Sequence, residues 1–128
     1  MSSLFGKALR AAGSARRLER DGDYDGACDR AYYAMFNAAR ALLEAHGALT
    51  PDQAKTHATV LRRFSEVFVK SGLSKGKLGG SLNFVEGLRN KADYSASLTS
   101  REEALRAIEM MDEFIAFSRE YLAKGENP

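Results

Sequence analysis

Cysteine is nearly absent. Cys28 is the only one, which removes any intrachain disulfide and the thiol-rich metal sites, and a reducing compartment is the natural setting. Histidine is scarce too. His46 and His57 are too few and too far apart in sequence for a standard metal motif, so neither a metal nor another cofactor is expected. There is no glycine-rich phosphate loop, no HExxH and no GxSxG. No apolar run approaches the ~18 residues of a membrane span. Met1 to Leu9 lacks the continuous apolar stretch of a secretory signal. The expectation is a cytoplasmic chain with no membrane partner. An excess of one charge is missing as well. Lys and Arg total 19 against 17 Asp and Glu, a net of +2, so any nucleic-acid partner has to be met by local clustering. Two prolines and no tryptophan leave few breaks. Helices are favoured.

What is present is helical periodicity. The 128 residues are 45% hydrophobic, enough for one core, and the whole chain 1–128 is expected to form a single domain. Period counting supports about five helices and no strand. In the first, Leu4, Ala8, Ala11, Ala15 and Leu18 form a stripe, with Arg10, Arg16, Arg17 and Arg20 mainly on the other sides. Asp21-Gly22-Asp23 reads as a stop, with Asp23 as the next N-cap. The second segment, Tyr24 to His46, carries two adjacent apolar stripes, Ala27-Ala31-Met35-Ala38-Leu42 and Tyr32-Phe36-Ala39-Leu43. So wide a buried face makes it the expected central helix, closed by Gly47.

Thr50-Pro51-Asp52-Gln53 has the form of a capping box for a third helix, and Thr56 offers a second start. His57, Val60, Leu61, Phe64, Val67 and Phe68 then share a face up to Ser71-Gly72. A fourth helix is expected after Ser74, with Leu78, Leu82, Val85, Arg89 and Ala92 in line. Gly76, Gly79 and Gly80 weaken its start, or mark close backbone contact with a partner. Tyr94 to Leu98 reads as a loop. Thr99 and Ser100 each have Glu three places on, a strong start for a fifth helix. That helix has two apolar stripes, Ala104-Ile108-Met111-Ile115-Ser118-Leu122 and Met110-Phe114-Phe117-Tyr121. One core needs one of them. Either a second copy covers the other, making a homodimer, or the short first helix does. Short loops between long helices favour an all-α, antiparallel up-and-down bundle.

Chemistry concentrates near residue 90, in Arg89-Asn90-Lys91-Ala92-Asp93-Tyr94. Arg89 falls on an apolar stripe, and a buried guanidinium requires a partner or a wet cleft. An ion pair with Asp93, four residues on, would account for it without any activity. On the second helix, Arg30, Tyr33, Asn37 and Arg40 recur at helical spacing on one side. Basic and aromatic residues together suit base stacking and phosphate contact, although a solvated face or a dimer seam explains them equally.

Several blocks in order carry a resemblance: Arg30 to Leu43 (RAYYAMFNAARALL), Lys55-Thr56-His57, Phe68-Val69-Lys70, and Leu88-Arg89-Asn90-Lys91-Ala92-Asp93-Tyr94. Together they resemble the HEPN (higher eukaryotes and prokaryotes nucleotide-binding) family, in its small stand-alone prokaryotic branch. The resemblance implies an up-and-down bundle that often dimerises. It also implies a metal-independent ribonuclease motif, an Arg, a polar residue, a spacer and a His at the end of the fourth helix. Arg89 matches the motif's Arg and Asn90 its polar position; Tyr94 stands where the His belongs. A hydroxyl with an ordinary pKa near ~10 is a poor proton shuttle beside an imidazole near ~6.5, so the site keeps an anion clamp and loses its obvious base. In an antiparallel bundle His57, at the start of the third helix, is expected at the same end as Arg89 and Tyr94 and can compensate; its plainer role is a packed helix-start residue.

Three readings follow from the resemblance and the residues. In the first, the chain is the toxin-like half of a pair with a minimal nucleotidyltransferase, acting on RNA or nucleotide phosphate, weakly or not at all as a nuclease when alone, with Tyr94 as a hydroxyl for the partner to modify. In the second it is a non-catalytic nucleotide- or RNA-binding subunit. The third is a structural bundle whose Arg89–Asp93 pair only pins a helix end.

Overall fold

The computed structural model describes residues 3–50, 56–74, 78–94, 96 and 98–126. Five α-helices follow in order: α1 (Ser3–Arg20), α2 (Tyr24–Ala45), α3 (His57–Phe64), α4 (Leu78–Tyr94) and α5 (Arg101–Glu126). No strand occurs among the described residues. The chain is an all-α up-and-down bundle, and α2 sits at its centre, packed against all four other helices. Alanine makes this possible. Ala27, Ala31, Ala34, Ala38, Ala39 and Ala41 are fully buried along α2, so neighbours approach its backbone closely from several sides. The larger side chains Tyr32, Met35, Leu42 and Leu43 fill the space between them.

Local signals set the helix ends. The Asp23 carboxylate accepts from the Gly26 backbone N–H at 2.9 Å, capping α2 as its sequence position predicts. Gly22 before it has φ +84° and Gly47 after α2 has φ +74°, a region that favours glycine. For α3 the start is Thr56, which accepts from the Thr59 N–H; Pro51, Asp52 and Gln53 of the other candidate box lie outside the described residues, as does Gly76. Between the two starts offered for α5, Ser100 is used. Its hydroxyl accepts from the Glu103 N–H at 3.1 Å and its own N–H donates to the Glu103 carboxylate at 3.0 Å, a reciprocal capping box. Thr99 is buried instead, its N–H donating to Asp25 at 2.9 Å.

The fourth helix follows Ser74 as expected. Ser74 itself is buried and binds backward, its N–H and hydroxyl donating to the Phe68 carbonyl at 2.7 and 2.6 Å. One expectation is corrected: the third helix does not run on as a regular α-helix. From Ser65 to Val69 it widens into a π-helical turn, closed by the Lys70 N–H on the Ser65 carbonyl at 2.9 Å. The wider turn presents Phe64 and Phe68 together, stacked 5.3 Å apart. They meet the second stripe of α5: Phe64 lies 5.2 Å from Phe114, and Phe68 lies 5.2 Å from Tyr121 and 6.3 Å from Phe117. Both stripes of α5 therefore pack against the core of the chain, and Phe114, Phe117 and Tyr121 of the second meet the α3 end. Large apolar side chains still exposed are Leu73, Phe84, Tyr94, Leu98 and Leu105. No described helix is long and apolar enough to cross a membrane.

Candidate functional site

Arg89 lies in the closing turns of α4, its side chain 22% exposed, and faces α2. Its Nε donates to the Asp29 carboxylate at 3.1 Å and its Nη2 to the Tyr33 hydroxyl at 3.2 Å. Asp93 stands further off, 3.6 Å from the same Nε. An ion pair does hold Arg89, but its nearest carboxylate comes from α2, sixty residues away, and not from the next turn of its own helix. The guanidinium also lies over two rings, 5.2 Å from the centroids of both Tyr32 and Tyr33, where the negative faces favour a cation. Asp29 is shared: its other oxygen takes the Arg30 Nη2 at 3.3 Å. Arg30 in turn lies 4.7 Å over the Tyr33 ring.

One turn further along α2, His57 enters from α3. Its ring stacks on Phe36 with centroids 4.1 Å apart, and its Nδ1 lies 2.9 Å from the Tyr32 hydroxyl. The imidazole pKa is lowered, first by burial and then by the Arg89 charge, with Arg40 adding to it and Glu86 opposing. Tyr32, fully buried, is shifted well upward by burial and next by the Glu86 charge, so it stays a phenol. Arg40 completes this side. Its Nη1 donates to Asn37 at 3.3 Å, its guanidinium lies 5.8 Å from the Phe36 ring, and its Nε is buried without a hydrogen-bond partner among the described residues.

The residues expected from helix four, helix three and helix two thus fall unevenly. Arg89, His57, Arg30, Tyr33, Asn37 and Arg40 lie along one face where α2, α3 and α4 meet. Asn90 is exposed, and Tyr94 is 86% exposed at the last position of α4; neither takes part in the contacts around Arg89. Two groups of the cluster went unread in the sequence, Asp29 and Glu86, and Tyr32 was legible only as part of an apolar stripe. Asp29 sits one turn before Tyr33 and Glu86 one turn before Arg89, so each was within reach of an i, i+3 or i, i+4 reading. What no spacing reveals is the pairing across helices.

Chemically the cluster sets three guanidiniums against three carboxylates, with aromatic faces between them. It can receive an anion at Arg89 or Arg40 if a resident carboxylate yields, and it offers a neutral imidazole. Among the described residues no group of three His, Cys, Asp or Glu could hold a metal ion. Cys28 is fully buried, its thiol pushed up to about 11 by burial first and by Glu103 and Asp25 next, which makes it a poor nucleophile. Two grooves, of about 550 and 510 Å³, lie elsewhere, one beside Leu73, Leu78, Phe117 and Tyr121, the other beside Phe84, Arg106 and Met110. Neither holds a member of the cluster.

The HEPN domain model matches residues 1–121. The chain belongs to the HEPN family. Two Methanocaldococcus jannaschii proteins, each carrying the name "putative toxin", are similar to it. One is 31% identical over 134 aligned residues, spanning 99% of this chain and 88% of the relative. The other is 37% identical over 92 residues, 72% of this chain and 66% of the relative. The bundle described above is thus that of a HEPN protein, and most of the Arg89 cluster, though not Asp29 or Glu86, comes from the stretches that carry the family resemblance.

Proposed function

We propose that this HEPN protein is the toxin-like member of a two-protein pair and engages RNA or a nucleotide phosphate at the Arg89 cluster. The observation that carries this reading is the excess of chemistry around one guanidinium. Pinning the end of α4 requires one carboxylate, and Asp93 was already at hand. Beyond that pair Arg89 is held more closely by Asp29, braced by the Tyr33 hydroxyl and laid against two aromatic rings, with His57, Asn37 and Arg40 along the same face. Guanidinium and aromatic surfaces together are what a single-stranded nucleic acid recognises through its phosphates and bases. The names of the two relatives support the toxin-like part. Nuclease activity of the isolated chain is weak or absent on this reading, because Tyr94 replaces the family's motif histidine and stands exposed at the last position of α4.

Binding of a fluorescent single-stranded RNA to the wild type and to Arg89→Ala tests the proposal. Affinity should fall at least tenfold, the ordinary worth of a charge-assisted contact to phosphate. Unchanged binding removes the site. The same RNA incubated without metal separates a nuclease from a non-catalytic binding subunit, the reading that the position of Tyr94 favours for the chain alone.

The partner is a small nucleotidyltransferase in this account, and a second copy of the chain completes the assembly. With both stripes of α5 packed internally, support for a homodimer shifts to the exposed Phe84 and Leu105. At 86% exposure the Tyr94 hydroxyl is open to a modifying enzyme. Mass spectrometry after co-expression with a neighbouring nucleotidyltransferase should find a nucleotidyl adduct on Tyr94; an unmodified Tyr94 in a stable complex counts against the pairing.

A further inference from the structure

The solvent side of α1 carries charge that the Arg89 cluster does not use. This helix holds Lys7, Arg10, Arg16, Arg17 and Arg20 against Glu19 alone. With the whole chain at +2, everything outside α1 is net negative, so the positive excess is gathered on one element. Arg16 and Glu19 are spent sideways. The Arg16 guanidinium forms a bidentate pair with Asp112 of α5, its Nη1 donating at 3.0 Å, and Glu19 lies 3.9 Å from Arg101. Lys7, Arg10 and Arg20 are exposed and have no ion pair among the described residues. Arg17, also exposed, reaches only the Ser14 hydroxyl, at 3.2 Å.

Helical spacing gathers these four cations opposite the buried stripe of Phe5, Ala8, Ala11, Ala12 and Ala15. Lys7 with Arg10, and Arg17 with Arg20, are neighbours at i, i+3, and the whole face runs about 20 Å along the axis. Gly6 and Gly13 lie between them. A Cβ on Gly6 would meet nothing within 4 Å, and one on Gly13 only the Arg17 guanidinium at 3.5 Å. Packing within the chain therefore requires neither glycine, in contrast to Gly79, which lies against Val69. They leave a low floor between the cations, where another backbone can come close.

We infer that the solvent face of α1 is a second nucleic-acid surface, on which Lys7, Arg10, Arg17 and Arg20 hold the phosphates of a single-stranded RNA without reading its bases. The face itself needs no member of the Arg89 cluster; the choice of RNA among polyanions rests on the reading of that cluster. No exposed residue of α1 is aromatic or aliphatic. A stable protein partner would lack the apolar anchors it needs, and bases would find no ring to stack on. A membrane-bound helix inserts its apolar side, which here is buried in the core. What remains is sequence-independent contact with a charged backbone.

Titration of a fluorescent RNA over a range of salt concentrations, on the full chain, tests the inference. The oligonucleotide should be about 20 nucleotides long, more than enough to cover the face at ~3.4 Å per nucleotide. In the combined variant Lys7→Gln, Arg10→Gln, Arg17→Gln and Arg20→Gln, affinity at low salt should fall more than tenfold. The slope of log affinity against log salt should become shallower by roughly three, as expected for four phosphates of a single strand. The loss should be the same for oligouridylate and for a mixed sequence. All four side chains are exposed, and the pair Arg17→Gln and Arg20→Gln, with half the slope change, serves if the fourfold variant folds poorly. A mononucleotide, too short to span the face, should bind the variant as it binds the wild type. An unchanged slope overturns the inference, and so does a loss seen with DNA or phosphatidylserine vesicles but not with RNA. RNA binding lost in Arg89→Ala and kept in the fourfold variant removes this face alone; the reverse pattern removes the Arg89 site and leaves this face standing.

Discussion

Asp29 occupies Arg89 and Arg30 at once, one carboxylate oxygen for each. It acts as an internal anion where a phosphate would otherwise sit, and this gives Asp29→Asn two opposed consequences. The amide keeps the shape and loses the charge, so the fold loses part of a charge-assisted pair; with both side chains partly exposed, 22% and 29%, about 1 kcal/mol is the expected cost. Melting should drop by about 4 °C for a chain of this size. RNA affinity should rise, because the competing carboxylate has gone. A stability loss together with a gain in binding, read by thermal melts and fluorescence titration, marks Asp29 as a displaceable counterion; a loss of both marks it as a positioning residue. The sequence made Arg89 conspicuous as a cation on an apolar stripe, and helical spacing grouped Arg30, Tyr33, Asn37 and Arg40. It left Asp29 and Glu86 unread, since carboxylates near helix starts and on polar faces have ordinary explanations, and the partner of Arg89 lies in another helix.

At the scale of elements, the junction between the π-helical turn and α4 is the tightest described contact that glycine makes with a neighbouring helix. A Cβ on Gly79 would sit 2.5 Å from Val69 Cγ2, whereas one on Gly80 would meet nothing within 4 Å. Alanine raises helix propensity by up to ~1 kcal/mol at either site. At Gly79 that gain is outweighed, because the β-branched Val69 has few rotamers to retreat into and overpacking costs about 1–3 kcal/mol. Gly79→Ala should therefore lower the melting temperature and Gly80→Ala should raise it, a sign difference that denaturant or thermal unfolding resolves. Both glycines were legible as weak points or as close approach; only packing says which is which. Helix ends marked by Asp23, Gly47 and Ser100 were readable for the opposite reason, since caps are satisfied within three or four residues. The π turn had no local signal. It accompanies the packing of Phe64 and Phe68 on α5, a contact between segments some fifty residues apart.

For the molecule as a whole, acid should loosen the fold in two stages. His57 has a lowered pKa in the folded chain, from burial first and Arg89 second, so the unfolded chain binds the proton more readily. Stability is then full above the ordinary imidazole value near ~6.5 and declines as pH falls below it. Glu103 is lowered by its hydrogen bonds to Ser100 and Lys91, and Glu66 by those to Arg63 and Arg62. Their contributions are present above the ordinary carboxylate range and are lost as pH drops through and below it. Melting temperatures recorded from neutral to acid pH should show the upper step disappear in His57→Phe while the lower step persists. The bundle as a whole was legible because its periodicity is strong and its connections short. What covers the second stripe of α5 was not, because one apolar face cannot announce whether its cover comes from its own chain or from another.

Since α2 supplies Asp29, Tyr32, Tyr33, Phe36 and Arg40 to one side and the alanine spine to the other, it is read twice by any mutational scan. A library scored only for loss of cellular effect will light up the entire helix and confuse collapse with inactivity. The separable information lies on α4, where Arg89 can be changed while Leu82, Val85 and Leu88 go on filling the interior.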